Sequence, residues 1–360
     1  MRIRIVILTM TLAALLVSAL PVLAAADTTA GLDYLQTQQN ADGGFGSGFS
    51  PDSTLGSTAD VVLAIVAAGG DLATFDRDGN TPLTYLEANA SAAGSGGDLA
   101  KLILAAIAAG ENPRQLGGAD SVAKLESLFD TGGRIGGETD TFVSHVLAVL
   151  ALASAQRPIP AAAVDHIKNA QQENGSWAWD GTAETAGDTN TAAFAVQALV
   201  AAGEDPGSEP VSNALTYYQG IQNEDGGWPY QSPSDYGTAT DANSTAVTIQ
   251  AIIAAGQDPA GANWTTAGES TPVAALEALQ NESGAFAWQA AVRDDNLLAT
   301  VQALPALAGK AFPFATMDVG QAAAPATVPE TGGGAVTLAF PLLLSGSALV
   351  GGGYLLRRRK

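Results

Sequence analysis

Gln222-Asn223-Glu224-Asp225-Gly226-Gly227-Trp228 decides the fold, because it returns along the chain in three other spellings. These are Gln39-Asn40-Ala41-Asp42-Gly43-Gly44-Phe45, Gln172-Glu173-Asn174-Gly175-Ser176-Trp177 and Gln280-Asn281-Glu282-Ser283-Gly284-Ala285-Phe286. A phrase repeated at such intervals signals a stacked or ring-like architecture. Glycine lets the chain turn with unusual dihedrals, glutamine can bond loose backbone groups, and the ring fills the gap beside the turn. Trp177 and Trp228 are therefore expected to be structural rather than catalytic.

Outward from these phrases, residues 27–316 alternate two kinds of helical segment. One is dense in Ala, Val, Leu and Ile and ends in a repeated stop: Ala67-Ala68-Gly69-Gly70, Ala108-Ala109-Gly110, Ala201-Ala202-Gly203 and Ala254-Ala255-Gly256. Glycine just past a helix takes the left-handed cap conformation, and proline soon after (Pro113, Pro206, Pro259) prevents continuation. An acid stands near each expected start: Asp60, Asp98, Asp140, Asp188, Asp241 and Asp294. Carboxylates there complement the helix dipole and cap free amides. The other kind is amphipathic and precedes each apolar partner, over roughly 32–39, 82–90, 121–129, 161–172, 211–222 and 272–280. Six such pairs predict an all-α fold, an (α/α)6 barrel with a buried inner ring and an amphipathic outer one.

The ends have their own chemistry. Residues 1–26 carry Arg2 and Arg4, an apolar run and Ala24-Ala25-Ala26, the pattern of an export signal. Residues 317–334 read as a linker, and 335–360 as a membrane-spanning helix followed by Arg357-Arg358-Arg359-Lys360. Between lies Val328-Pro329-Glu330-Thr331-Gly332, and the whole ending resembles the sorting signal of bacterial surface proteins handled by sortases, with Val328 where Leu is usual. That resemblance implies cleavage between Thr331 and Gly332, a sortase as partner and attachment to the cell wall. Without cleavage the helix itself holds the chain in the membrane. Either route places the working part on the extracellular face.

All 36 acidic residues lie between Asp27 and Glu330, against nine basic ones, a formal charge of −27 for that stretch. Such a field repels nucleic acid and anionic lipid. There is no cysteine, which excludes disulfides, thiolate metal sites and thiol nucleophiles.

The Gln-x-x-x-Gly-x-Trp phrases, with Asp188-Thr189-Asn190-Thr191-Ala192-Ala193-Phe194-Ala195-Val196-Gln197-Ala198-Leu199, resemble the repeats of the squalene–hopene cyclase and protein prenyltransferase superfamily. The resemblance covers nearly all of 27–316 and implies a toroid of six hairpins, tied to one another by the Gln–aromatic phrases. The superfamily's chemistries are not all spelled here. The Asp-x-Asp-Asp of alkene-protonating cyclases is missing; Thr240-Asp241-Ala242-Asn243 and Arg293-Asp294-Asp295-Asn296 approach it. The prenyltransferase zinc ligands, and the cysteine of thioester domains, cannot be rebuilt from a chain with only His145 and His166. No metal and no cofactor is expected. A further resemblance is to the toroids that carry cobalamin, which bind at the barrel mouth without reaction, although they complete the site with a second domain not visible here.

The candidate site follows from the same phrases. Two residues after each aromatic stands another large group: Trp179, Tyr230 and Trp288. Alternate residues of an extended segment point the same way, so these rings should gather at one barrel end with Asp188, Asn190, Tyr236, Asp241 and Asn243. Flat rings beside polar side chains suit a cobalamin-like, terpenoid or glycan ligand. The expected function is ligand binding at the mouth without catalysis. The rival is an extracellular enzyme, cyclase-like or carbohydrate-active, with Asp241 paired to Asp188 or Asp294 as acid and base.

Overall fold

In the computed structural model the described residues are 27–321, apart from Phe49, Glu138 and Tyr236. They fall within one unit of the chain, Met1–Ala322. The expected signal (1–26), the sorting motif at Thr331 and Gly332 and the anchor helix lie outside the described residues. Among the described residues no helix is long and apolar enough to cross a membrane.

The helices alternate as the pattern predicts. The outer set is α1 (Thr28–Gln38), α3 (Pro82–Asn89), α5 (Ser121–Ser127), α7 (Ala161–Asn169), α9 (Glu209–Ile221) and α11 (Pro272–Glu277). The inner set is α2 (Leu55–Ala67), α4 (Gly96–Ala108), α6 (Phe142–Ser154), α8 (Thr189–Ala201), α10 (Ala242–Ala254) and α12 (Leu297–Leu307). Each inner helix packs on the next, and α12 returns to α2, which closes the ring. Their stops are alike to the bond. Amides of Gly70, Glu111, Arg157, Glu204, Gln257 and Lys310 reach back to the carbonyls of Ile65, Ala106, Leu152, Leu199, Ile252 and Pro305 at 2.8–3.0 Å. These are the long bonds of the Schellman motif. In α6 the left-handed residue is Gln156, at φ 50°, so that stop carried no glycine to announce it.

Three expectations need correction. The outer helices pack mainly on the inner helix before them, as α2 with α3 through α10 with α11, leaving α1 to pack on α12. The acids are not a uniform set of caps. Only Asp188 and Asp241 are N-caps; the other inner caps are Thr54, Ser95, Thr141 and Asn296. Asp98 lies in the first turn of α4, Asp140 accepts from Gly96 and Gly97 at the start of that neighbouring helix, and Asp60 pairs with Lys101 at 2.6 Å. Asp294 is in a strand, for the fold also contains a small antiparallel hairpin, β1 (Phe286–Gln289) and β2 (Val292–Asn296).

The repeat phrase is the seam between hairpins. Its glutamine amide donates to the turn glycine's carbonyl and to a carbonyl of the next hairpin. Gln39 reaches Gly43 and Phe75, Gln222 reaches Gly226 and Trp264, and Gln280 reaches Gly284 and Asp27, at 2.9–3.1 Å. In the second phrase this role falls to Gln171, on Gly175 and Pro210 at 3.0 and 2.8 Å, not to Gln172. Gln172 instead binds the following loop, at Thr182 and Thr185, the position taken by Asn40, Asn223 and Asn281 elsewhere. A fifth, disguised copy runs from Phe129 through Gly133 to Ile135, with Phe129 bridged to Ile135. The phrase aromatics Phe45, Trp177, Trp228 and Phe286 are fully buried. The indoles donate to Ile167 and Tyr218 carbonyls at 2.7 and 2.9 Å.

Beyond α12, residues 312–321 form a strap across the C-terminal ends of the inner helices. The Phe312 amide donates to Gln197 Oε1, the Met317 amide to the Ser154 carbonyl, and the Ser154 hydroxyl to the Ala315 carbonyl, each at 2.8 Å. Arg114 holds the Val319 and Gly320 carbonyls at 3.2 and 3.0 Å. Packing therefore continues past Thr316, into the stretch that reads as linker.

Gly226 sits at φ 95°, and a Cβ there would meet the Thr271 backbone; Gly203, at φ 97°, faces open space. Gly203→Ala should cost about 1 kcal/mol from the dihedral alone, and Gly226→Ala clearly more, in urea unfolding.

Candidate functional site

Because an outer helix returns the chain each time, the inner helices share a direction and their N-termini form one rim. The phrase segments settle on that rim. The Thr189 amide at the head of α8 donates to the Tyr230 carbonyl at 2.8 Å, and the Thr189 hydroxyl to the Pro229 carbonyl at 2.7 Å. Gln289 bridges to Asp241 at the head of α10. The turn holding Trp179 closes with a bond from Gly181 to Ala178, and Gly181 lies on the Phe142 ring at the head of α6. Each segment thus covers the inner helix of the preceding hairpin. Burial alternates along it: Trp177, Trp228 and Phe286 point in, while Trp179, Tyr230 and Trp288 stay 49%, 46% and 41% exposed. The result is an arc of three exposed rings over α6, α8 and α10.

Next in the arc comes α12, where the phrase after Phe45 offers Gly46, Ser47 and Gly48 instead of a ring. There the rim opens into a cavity of about 820 Å³, lined by Trp288, Asn243, Asn296, Asp295, Leu298 and Tyr34 among others. Of the expected residues, the cavity unites Asn243 and Trp288; Trp179 and Tyr230 stand on the rim outside its lining, and Tyr236 is outside the described residues. Behind it the Asn243 amide donates to Gln302 Oε1 at 2.8 Å, and Gln250 Nε2 to the Gln302 carbonyl at 3.4 Å. Gln250 Oε1 and Asn190 Oδ1 are buried and have no hydrogen-bond partner among the described residues. Gln250 and Gln302 were absent from the sequence-based site, although a glutamine inside an apolar helix is a readable signal. The loop 46–51 carries no such signal.

The acids are committed. Asp188 accepts from the Thr191 amide and hydroxyl, both at 2.8 Å, and Asp241 from the Ser244 amide and hydroxyl at 2.7 and 3.0 Å. Both are buried, and burial raises both carboxyls, Asp241 to about 6. Burial and then the neighbouring Asp188 push the Tyr230 phenol up as well. Asp294 is unlike them in lying exposed, in strand β2.

Residues 122–294 match the family model of the squalene-hopene cyclase C-terminal domain, and residues 2–98 that of the prenyltransferase alpha-alpha toroid domain. Together these two models show that the chain is similar to the cyclase and prenyltransferase toroids over most of residues 2–294. Among solved structures the toroid is similar to the type II terpene cyclase MstE from Scytonema, at 13% identity and a TM-score of 0.55, over 79% of this chain and 97% of that one. It is similar also to a protein from Actinoplanes, at 14% identity and 0.53, over 80% and 99%. Haptocorrin in complex with Cbi aligns at 17% identity and 0.49, over 80% and 67%. No curated protein matches in sequence. At these identities the likeness is one of fold.

The toroid's two histidines are neighbours in space, which their sequence positions did not show. Their rings lie 4.9 Å apart beside Phe142, and the His145 Nε2 faces the Ala163 carbonyl at 3.0 Å. Burial lowers both, His166 to about 4, in the contact between inner helix α6 and outer helix α7.

Asp241 gives a pH test. Its folded value of about 6 exceeds the 3.8 of a free aspartate, so the folded state binds this proton more tightly. The group's contribution therefore favours folding at low pH and is lost as pH rises through the window between those values. Asp241→Asn keeps a capping side chain and removes the titration. Between about pH 4 and pH 7, urea unfolding should show wild type losing on the order of 2 kcal/mol relative to this variant.

Proposed function

We propose that this toroid is an exported, surface-anchored binding protein that holds a ligand at the N-terminal rim without transforming it. One observation carries the reading: three large rings remain exposed along the rim over successive inner helices, and the last of them, Trp288, lines an open cavity. Extended exposed apolar surface rimmed by polar residues marks an interaction site, and a concave site with a few placed polar groups is the usual form of a ligand pocket. Export and anchoring rest on the character of residues 1–26 and 335–360.

The committed acids support binding over catalysis. A general acid or base must reach the reacting atom, whereas Asp188 and Asp241 are buried and hydrogen-bonded to their own helix starts. Asp294, the third member of the proposed carboxylate set, is exposed in β2, beside the cavity-lining Asp295.

The test is native mass spectrometry of the full-length chain isolated from its own host. Wild type should carry a bound mass that the combined Trp179→Ala, Tyr230→Ala and Trp288→Ala variant lacks, with unchanged helical circular dichroism. Retention of the same mass by the variant would overturn the rim as the site.

A further inference from the structure

The lining of the rim cavity restricts the chemistry of what it holds. Amides dominate: Gln38, Asn40, Asn243 and Asn296 all face it, with Ser47 and Ser50. Several have capacity left over. The Asn243 donor is committed to Gln302, which leaves its carbonyl oxygen, and the Asn296 oxygen is committed to the Ala299 amide, which leaves its NH₂. An amide both donates and accepts, which matches a hydroxyl group, itself both donor and acceptor. Among the described residues no Lys, Arg or His lines the cavity, Asp295 does, and residues 27–330 carry a formal charge of −27. Phosphates, diphosphates and other anions are therefore repelled. A plain hydrocarbon chain fits poorly too, because it would strip water from these amides and return no hydrogen bond.

The rings add a length. Trp179, Tyr230 and Trp288 stand over three successive inner helices, and packed helices lie roughly 8–10 Å apart. One compact planar ligand cannot lie on all three. An extended ligand with alternating apolar faces and hydroxyl edges can, since each ring offers a flat face at the edge of water.

We infer that the rim binds an uncharged glycan chain, laid across Trp179, Tyr230 and Trp288 with its end in the amide-lined cavity beside Asn243. This rests on the reading of the rim as a ligand site and narrows it to one class.

The experiment is isothermal titration of the full-length chain with defined probes. These are malto-, cello- and N-acetylated chito-oligosaccharides of increasing length, the deacetylated cationic chito-oligomers, anionic oligogalacturonates, cyanocobalamin and a short polyprenol. A neutral series should bind with affinity that rises with chain length and changes little with salt, and the oligogalacturonates should not bind. Trp179→Ala and Trp288→Ala should each weaken the longer oligomers by about tenfold, and Trp179→Ala should leave the shortest ones nearly unaffected. Asn243→Ala should weaken all lengths; since Asn243 also supports α10, circular dichroism and the retained length dependence distinguish a lost contact from a lost fold. Cyanocobalamin or polyprenol binding that depends on the rings, with every neutral sugar silent, would overturn the glycan and keep the rim. Tighter binding of the cationic oligomers that collapses in salt would replace sugar recognition by charge attraction. Silence from every probe, together with a host-derived mass indifferent to the ring variants, would remove both readings.

Discussion

A single side-chain amide, the Nε2 of the phrase glutamine, is shared between two backbone carbonyls, and the ring depends on that sharing. One carbonyl belongs to the glutamine's own turn and the other to the next hairpin, so neither hairpin can move without breaking a bond in both. The net worth of one such bond is only about 1 kcal/mol. Its effect comes from repetition, at four seams of a ring that the inner helices close. In an open array of hairpins the terminal units would be exposed and would fray. Here Gln280 reaches the Asp27 carbonyl and α1 lies on α12, so the first and last hairpins are neighbours like any others.

The same bond decides what the rim presents. Once the glutamine has fixed its glycine turn, the aromatic that follows is driven into the wall, and Trp228 is locked there through Tyr218. The chain then leaves in an extended form over the rim, and alternation presents the second residue onward to water. The exposure of Trp179, Tyr230 and Trp288 is thus a consequence of the burial of Trp177, Trp228 and Phe286. Where the second residue is small, as at Ser47, the rim opens into the cavity instead.

The number and order of the helices were legible because each depends on local signals: apolar runs, caps and glycine stops. The partner of each outer helix was not, since sequence order does not distinguish packing forward from packing back. The phrase was readable where glutamine and an aromatic were kept. At Phe129 and Ile135 only the glycine turn survives, so that copy was visible only through its bridge. In the site, the rings followed from alternation. The cavity did not, because it joins residues 34–51 to residues 288–298 across the closure of the ring. Asp294 was misplaced for a related reason: a short hairpin precedes α12, and the cap became Asn296.

The strap at residues 312–321 gives the molecule a direction of loading. Tension on the chain beyond Gln321 meets the Arg114 fork on Val319 and Gly320 and the Met317 bond to Ser154 before it reaches α12. Load enters through the middle hairpins, α4 and α6, at the end of the barrel away from the rim. Were the chain anchored beyond the strap as proposed, a pull would be taken across the base of the barrel, with the last helix of the ring spared from peeling.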